Sequence, residues 1–314
     1  MSVHPPLDRW ALGRALTQLS TGRAAEVPEP APDAAPARRI GVTGAPGAGK
    51  SSLVGRLALQ RLRARRVGVL AIDPSSPRSG GAILGDRIRI DEIDEAGELY
   101  VRSIASRSAT DGLSDLAPEM LAAMEAFGFD ELVLETVGVG QVEQAVRRIV
   151  DTLVLVIPPD GGDHVQAMKA GIAELADIVV VHKADLPAAQ RMAADLRRVL
   201  ALSRRAPQAW VPPVLLTSVR DAASVQALSQ AIDEHQAWLA RSDAGPALRL
   251  ERARYALARA LERLARRVAD EQDTGFFLQP AQLQLRQAAL LIARHAGAED
   301  RPPQPQKNHQ ETSP

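Results

Sequence analysis

The 314-residue sequence contains no cysteine. This excludes disulfides, thiolate metal sites and cysteine nucleophiles, and it fits a reducing compartment, so the expected location is the cytoplasm. Aromatic residues make up only 3% of the chain, so aliphatic side chains must fill the core. Lys plus Arg and Asp plus Glu number 38 each, which leaves no basic field to hold nucleic acid or an anionic membrane surface. No apolar run approaches the roughly 20 residues needed to cross a bilayer. Met1 to Asp8 lacks the basic-then-apolar pattern of a secretory leader. Hydrophobic residues nevertheless amount to 46% of the chain, enough for one large domain with appendages or for two small ones.

Apolar residues at Leu12, Ala15, Leu16 and Leu19 predict a helix over Leu7 to Ser20, with Gly22 placed to stop it. Closely spaced prolines make Glu26 to Ala37 a linker. The central region alternates apolar strands with helical stretches. The strand candidates are Ile40–Thr43, Val67–Ile72, Leu99–Ile104, Leu132–Glu135, Leu153–Ile157, Ile178–His182 and Val214–Thr217. Several are apolar on consecutive residues, as strands covered on both faces are. This argues an α/β fold with a mostly parallel sheet flanked by helices. From Ala222 onward the pattern is helical. In the stretch from Ala247 to Ala269, Leu250, Leu257, Leu261, Leu264 and Val268 form a stripe near heptad spacing, able to pack on its own domain or on a second subunit. A further helix is expected over Gln279 to His295. The expected organisation is therefore an N-terminal helical extension (1–25), a linker (26–37), a central domain (38–221), a C-terminal helical region (222–297) and a polar tail (298–314).

The chemistry begins at Gly44-Ala45-Pro46-Gly47-Ala48-Gly49-Lys50-Ser51, a complete G-x-x-x-x-G-K-S loop between a predicted strand and a predicted helix. Main-chain amides along Gly44, Ala45, Gly47, Ala48 and Gly49, and those of Lys50, Ser51 and Ser52 at the helix start, can cradle phosphates in the field of the helix N-terminus. Lys50 can reach the β- and γ-phosphates, and the Ser51 hydroxyl can ligate Mg²⁺. The class is thus a P-loop nucleotide-binding protein. Leu132-Val133-Leu134-Glu135 ends an apolar strand in a carboxylate able to hold Mg²⁺ through a water, and the Gly138 amide can contact the γ-phosphate. Asp73 closes the second strand, at the sheet edge where ligands bind in open α/β sheets, and Asp86 follows in a glycine-rich stretch; both are candidate metal-shell acids. His182-Lys183-Ala184-Asp185 follows another strand and resembles the Asn-Lys-x-Asp reader of guanine. Asp185 can accept from guanine N1–H and the exocyclic amine, whereas adenine offers no such donor pair. Lys183 would lie along the ring. His182 stands where Asn is expected. Thr217-Ser218-Val219, after the last strand, can offer a backbone N–H to the base O6.

With these motifs assembled, the chain resembles the methylmalonyl-CoA mutase-associated G-protein chaperones (MeaB/ArgK type), also labelled lysine/arginine/ornithine transport kinases. The resemblance covers about residues 7 to 270. It rests on Gly44 to Ser52, Ala71-Ile72-Asp73-Pro74-Ser75-Ser76 through Asp86, Glu135-Thr136-Val137-Gly138-Val139-Gly140-Gln141, Gly171 to Asp177 and Lys183-Ala184-Asp185. It implies a GTPase of the signal-recognition and metallochaperone (SIMIBI) branch that uses GTP, GDP and Mg²⁺. It also implies a C-terminal dimerisation arm and an adenosylcobalamin-dependent acyl-CoA mutase as partner, with GTP hydrolysis gating cofactor loading and protecting or reactivating the mutase. Carried over by motif, Lys50, Asp86, Glu135 and Lys169 are the catalytic candidates, and Ser51, Asp73, Asp86 and Glu135 the metal candidates. Lys169 belongs to a segment, Gly161 to Lys169, that the resemblance makes mobile and able to carry its charge toward the nucleotide. The sequence departs from the family at His182, at His164 and from Ser106 to Leu113. A metal-delivery GTPase of the same branch would commonly carry Cys pairs or His-rich tracts, which this sequence lacks; a small-molecule kinase would need an acceptor pocket with a catalytic Asp.

Overall fold

The computed structural model describes residues 5–21, 23, 25–29, 35–63, 65–74, 98–106, 116–136, 142–159, 176–202, 206 and 208–298. Along the chain they form α1 (Arg9–Ser20), β1 (Arg38–Gly44), α2 (Lys50–Arg61), β2 (Val67–Pro74), β3 (Leu99–Ser106), α3 (Ala117–Ala126), β4 (Glu131–Glu135) and α4 (Val142–Arg147). There follow β5 (Thr152–Ile157), β6 (Ile178–His182), α5 (Ala188–Leu202), β7 (Val214–Thr217), α6 (Ala222–Arg241), α7 (Ala244–Asp270), α8 (Thr274–Phe277) and α9 (Ala281–Ala298). Every strand expected from the sequence is present, β6 and β7 with the expected bounds.

The seven strands make one sheet in the order β3-β2-β4-β1-β5-β6-β7, with every neighbouring pair parallel. Alternate residues of each strand feed opposite faces. Ile40, Val42, Val69, Val133, Val154 and Val180 pack with Leu53, Val54 and Leu57 of α2 and with Val225, Leu228 and Ile232 of α6. Leu70, Ile72, Leu132, Leu134 and Leu153 pack on the other face with Leu12 and Leu16 of α1, Met120, Leu121 and Met124 of α3, and Val146 of α4. Leu155, Val179 and Val181 meet Met192, Ala193 and Leu196 of α5. Burial on both faces is why the strands read as unbroken aliphatic runs. It is also why α1 belongs to this core: Asp8 caps it by accepting from the Ala11 amide, and Leu12 and Leu16 are fully buried. Residues 222–241, read from sequence with the C-terminal helices, pack as α6 against α2.

β1 shows how closely the second face is packed. A methyl group placed on Gly41 would lie 2.8 Å from Val146 Cγ1 and 3.1 Å from Leu153 Cδ1 and Val150 Cγ2. Those neighbours are branched side chains in a filled core, so Gly41→Ala is expected to destabilise the protein by about 1–3 kcal/mol. Urea unfolding checks this; a midpoint equal to that of the unaltered protein contradicts the packing. At the N-terminal end of the sheet, the fully buried Arg61 pairs with Glu131 and Asp233 and donates to the Ser229 carbonyl, tying α2, β4 and α6 together.

The chain divides into two compact units, 1–256 and 257–314, with the boundary inside α7. Within the second unit Leu257, Leu261, Phe277, Leu278, Leu285 and Leu290 are exposed, while Val268 is buried. In the first, Leu250 of the same stripe is exposed. Among the described residues no helix is long and apolar enough to cross a membrane.

Candidate nucleotide site

β1 is the point where the sheet order reverses: β4 pairs on one side of it and β5 on the other. The crevice beyond the C-terminal strand ends at such a point is where open α/β sheets bind ligands. Four strands end there in residues with polar or conformational roles: β1 in Gly44, β4 in Glu135, β6 in His182 and β7 in Thr217.

The loop from Gly44 to Gly49 turns with positive φ at both ends, +142° at Gly44 and +90° at Gly49. Only glycine fits the first of these, because a Cβ there would sit 1.9 Å from the Val156 carbonyl oxygen. Gly49 is the N-cap of α2 and provides no side-chain cap, so the first helical amides are left to an anion. The buried Lys50 is held over this loop, its Nζ donating to the carbonyls of Gly44 at 2.7 Å and Ala45 at 2.9 Å. An ammonium so placed puts a positive charge beside the loop and the start of α2, a setting suited to an anion.

Ser51 lies one residue further, and its hydroxyl donates to Glu135 Oε1 at 2.5 Å. A hydroxyl and a carboxylate oxygen in contact, beside a helix N-terminus, are hard-oxygen donors of the kind Mg²⁺ takes, so these two residues fit part of such an ion's shell. Residue 73 lies on the same sheet edge: β2 pairs with β4 through Ala71↔Glu135, and Asp73 is the next residue but one along β2. Its side chain lies outside the described residues, as do Asp86, Gly138 and Lys169 altogether.

The base-reading segment approaches from β6. His182 is buried, and its Nδ1 shares a 2.8 Å hydrogen bond with the Thr217 hydroxyl of β7. Burial, and then the charge of Lys183, hold its imidazole below the usual pKa. Lys183 has a left-handed backbone, φ +58°, and its Nζ donates to the Gly47 carbonyl at 2.9 Å. Asp185 is exposed; its Oδ1 accepts from the Ser218 hydroxyl at 2.9 Å. That hydroxyl, and then the residue's own backbone amide, hold its carboxyl below the usual range, so it is an acceptor at neutral pH. Ser218 is fixed in turn by Ser224, whose hydroxyl accepts from its amide, and Val219 follows in the same turn.

The structure thus brings together Gly44, Ala45, Gly47, Gly49, Lys50, Ser51, Glu135, His182 and Lys183, and it joins Asp185 to Ser218. Ala48 is buried within the loop and Ser52 is exposed in the first turn of α2. Sequence reading credited Thr217 with no side-chain role, and gave none to Thr43 and Thr136, whose hydroxyls hydrogen-bond at 3.2 Å beside the loop. The histidine in an asparagine position was the one available signal for Thr217. A separate cavity of about 330 Å³, lined by Asp177, Trp210, Trp238 and Glu251 among others, lies by the start of β6, at the opposite end of that strand from the loop. Burial raises the Asp177 carboxyl there to about 6 against the opposing charge of Arg147.

A Caulobacter vibrioides protein bearing a GTPase designation is 38% identical over 268 residues, covering 82% of each chain. The methylmalonic aciduria type A homologue of Mus musculus, mitochondrial, is 38% identical over 204 residues, 63% of this chain and 49% of that protein. A solved structure described as an LAO/AO transport system kinase shares the fold, with a TM-score of 0.58 at 24% identity over 91% of this chain and 99% of its own. The sequence profile of the methylmalonyl-CoA mutase-associated GTPases matches residues 17–273. The chain therefore belongs to the methylmalonyl-CoA mutase-associated GTPase family, MeaB.

Proposed function

We propose that this GTPase binds GTP in the crevice beyond β1, hydrolyses it to GDP and phosphate with Mg²⁺, and serves as a chaperone to an adenosylcobalamin-dependent acyl-CoA mutase. In this reading hydrolysis gates cofactor loading and protects or reactivates the mutase. The observation that carries the nucleotide part is the convergence, on one sheet edge, of Lys50 over its loop, the Ser51–Glu135 contact and the Asp185–Ser218 reader. The family match and the mitochondrial homologue support the mutase part.

Each residue then has a defined task. The loop amides and Lys50 take the phosphates and offset the charge that builds on them. Ser51 and Glu135 would hold Mg²⁺, the hydroxyl directly and the carboxylate through a water, with Asp73 and Asp86 as further acids of the shell. When bound, that ion draws negative charge from the β- and γ-phosphates. Asp185 accepts from guanine N1–H and the exocyclic amine, with Lys183 along the ring. A Gly138 amide on the γ-phosphate and a Lys169 ammonium brought in by the partner complete the proposal.

Hydrolysis by the protein alone is expected to be slow, because the Lys169 charge proposed to stabilise the transferring phosphoryl group arrives only with the partner. Adding an adenosylcobalamin-dependent acyl-CoA mutase is expected to raise the initial rate of phosphate release by about tenfold or more, as a charge supplied to the transferring phosphoryl group does. Equal rates with and without the mutase would remove the chaperone role. We place the protein in the cytoplasm and propose that it is a homodimer formed through the C-terminal helices, whose exposed Leu257, Leu261, Leu285 and Leu290 give an apolar surface for a second copy. Sedimentation is expected to show a dimer that Leu261→Glu weakens; a monomer at micromolar concentration contradicts this.

A further inference from the structure

His182 is the residue at which this chain departs from the guanine-reading pattern, and its surroundings give it a task of its own. The ring is 2% exposed, sunk between two loops that are far apart in sequence. On one side its Nδ1 is anchored at 2.8 Å to the hydroxyl of Thr217, its register partner on β7. On the other side it meets the phosphate loop: a Cβ placed on Gly49 would lie 2.6 Å from His182 Cδ2 and 3.1 Å from Nε2. Gly49 is the residue with φ +90° that caps α2 and immediately precedes Lys50. The next residue, Lys183, grips the same loop a turn earlier through the Gly47 carbonyl at 2.9 Å. One edge of the imidazole is therefore taken by Thr217 and the other lies against the backbone that presents the phosphate-binding amides. Glycine at 49 serves two ends: it adopts the left-handed backbone, and it leaves room for the ring.

We propose that His182 is a positioning residue, a strut anchored on Thr217 that props Gly49 and keeps the phosphate loop in register with the base-reading loop, leaving discrimination between bases to Asp185. The inference rests on the nucleotide site proposed above. A strut acts on every nucleotide that uses the loop, whatever its base, because it orients the amides and Lys50. A base reader acts on guanine alone. The uncharged state favoured by burial suits the strut, since Lys183 stands beside it and Lys50 follows the glycine it supports.

The test compares His182→Ala, Thr217→Val and Asp185→Ala in the full chain. Affinities for GTP, GDP and ATP are read by competition against a fluorescent guanine nucleotide, and GTP turnover by phosphate release, below the melting temperature of each variant. His182→Ala is expected to weaken all three nucleotides together by about tenfold, raising KM with kcat at saturation little changed, and to keep the GTP-over-ATP preference within about threefold. Thr217→Val keeps the ring but removes its anchor, and is expected to give the same pattern with a smaller shift. It carries the test if the alanine variant does not fold. Unchanged affinities in folded variants would overturn the strut, and so would a collapse of the GTP-over-ATP preference matching that of Asp185→Ala. Failure of the unaltered protein to bind any of these nucleotides would instead sink the function on which the inference rests.

Discussion

Lys50→Ala is expected to abolish tight nucleotide binding while leaving the fold in place. The Lys50 ammonium is held by the carbonyls of Gly44 and Ala45 at the mouth of the loop, so it needs little reordering to meet phosphate oxygens. Charge-assisted hydrogen bonds contribute about 1.5–3 kcal/mol each, so losing contacts to two phosphate groups weakens binding by about a hundredfold or more. The loss should fall on GTP and ATP alike, because the lysine reads charge and not base, and should be smaller for GDP, which has no γ-phosphate to lose. The sheet and its helices do not depend on Lys50 for packing: the α2 side chains that enter the core are Leu53, Val54, Leu57 and Ala58. Circular dichroism should therefore be unchanged. Titration of a fluorescent guanine nucleotide checks the prediction, and an affinity within a few-fold of the unaltered protein would contradict the placement of the phosphates.

Asp185→Ala is expected to act on the other end of the nucleotide and in a different way. Its carboxylate is exposed to a ligand, kept ionised by the Ser218 hydroxyl, and tied through Ser218 to the first turn of α6. A site built to hydrogen-bond a ligand's N–H groups rejects an analogue lacking them by large factors, so removing the carboxylate should lower the GTP-over-ATP preference by about a hundredfold or more. GTP binding falls toward that of ATP, and ATP binding changes little. Competition titrations of both nucleotides measure this ratio. A preserved ratio would mean that another residue reads the base.

The contrast between these two substitutions mirrors what was legible in the sequence. The phosphate loop was legible because its requirements are local: Gly44, Gly49, Lys50 and Ser51 lie within eight residues between a strand and a helix, and each residue type has one use there. The strands were legible because a parallel sheet covered on both faces needs aliphatic residues at consecutive positions, as in Leu153–Ile157 and Ile178–Val181. The order of the strands was not, since nothing in β1 or β4 announces that they pair, although motif order had already named Ser51 and Glu135, in contact across 84 positions, as candidates for one metal site. The same limit hid the Thr217 side chain, 35 residues from the histidine it anchors. The placement of α6 escaped for a further reason: its apolar positions fit any amphipathic helix, and only the core shows that α2 is its partner. The stripe on α7 carried two readings in sequence, and its residues divide: Leu250, Leu257 and Leu261 are exposed, Leu264 is half-buried and Val268 is buried.

The account as a whole depends on a guanine nucleotide seated with its phosphates on the loop that ends at Lys50. Calorimetric titration of GTP with Mg²⁺ into the full chain tests this most directly. The account predicts saturable heat at a single site per chain, strongly reduced for ATP and absent in Lys50→Ala. Heat that never saturates, or that is the same in the unaltered protein and in Lys50→Ala, would contradict it.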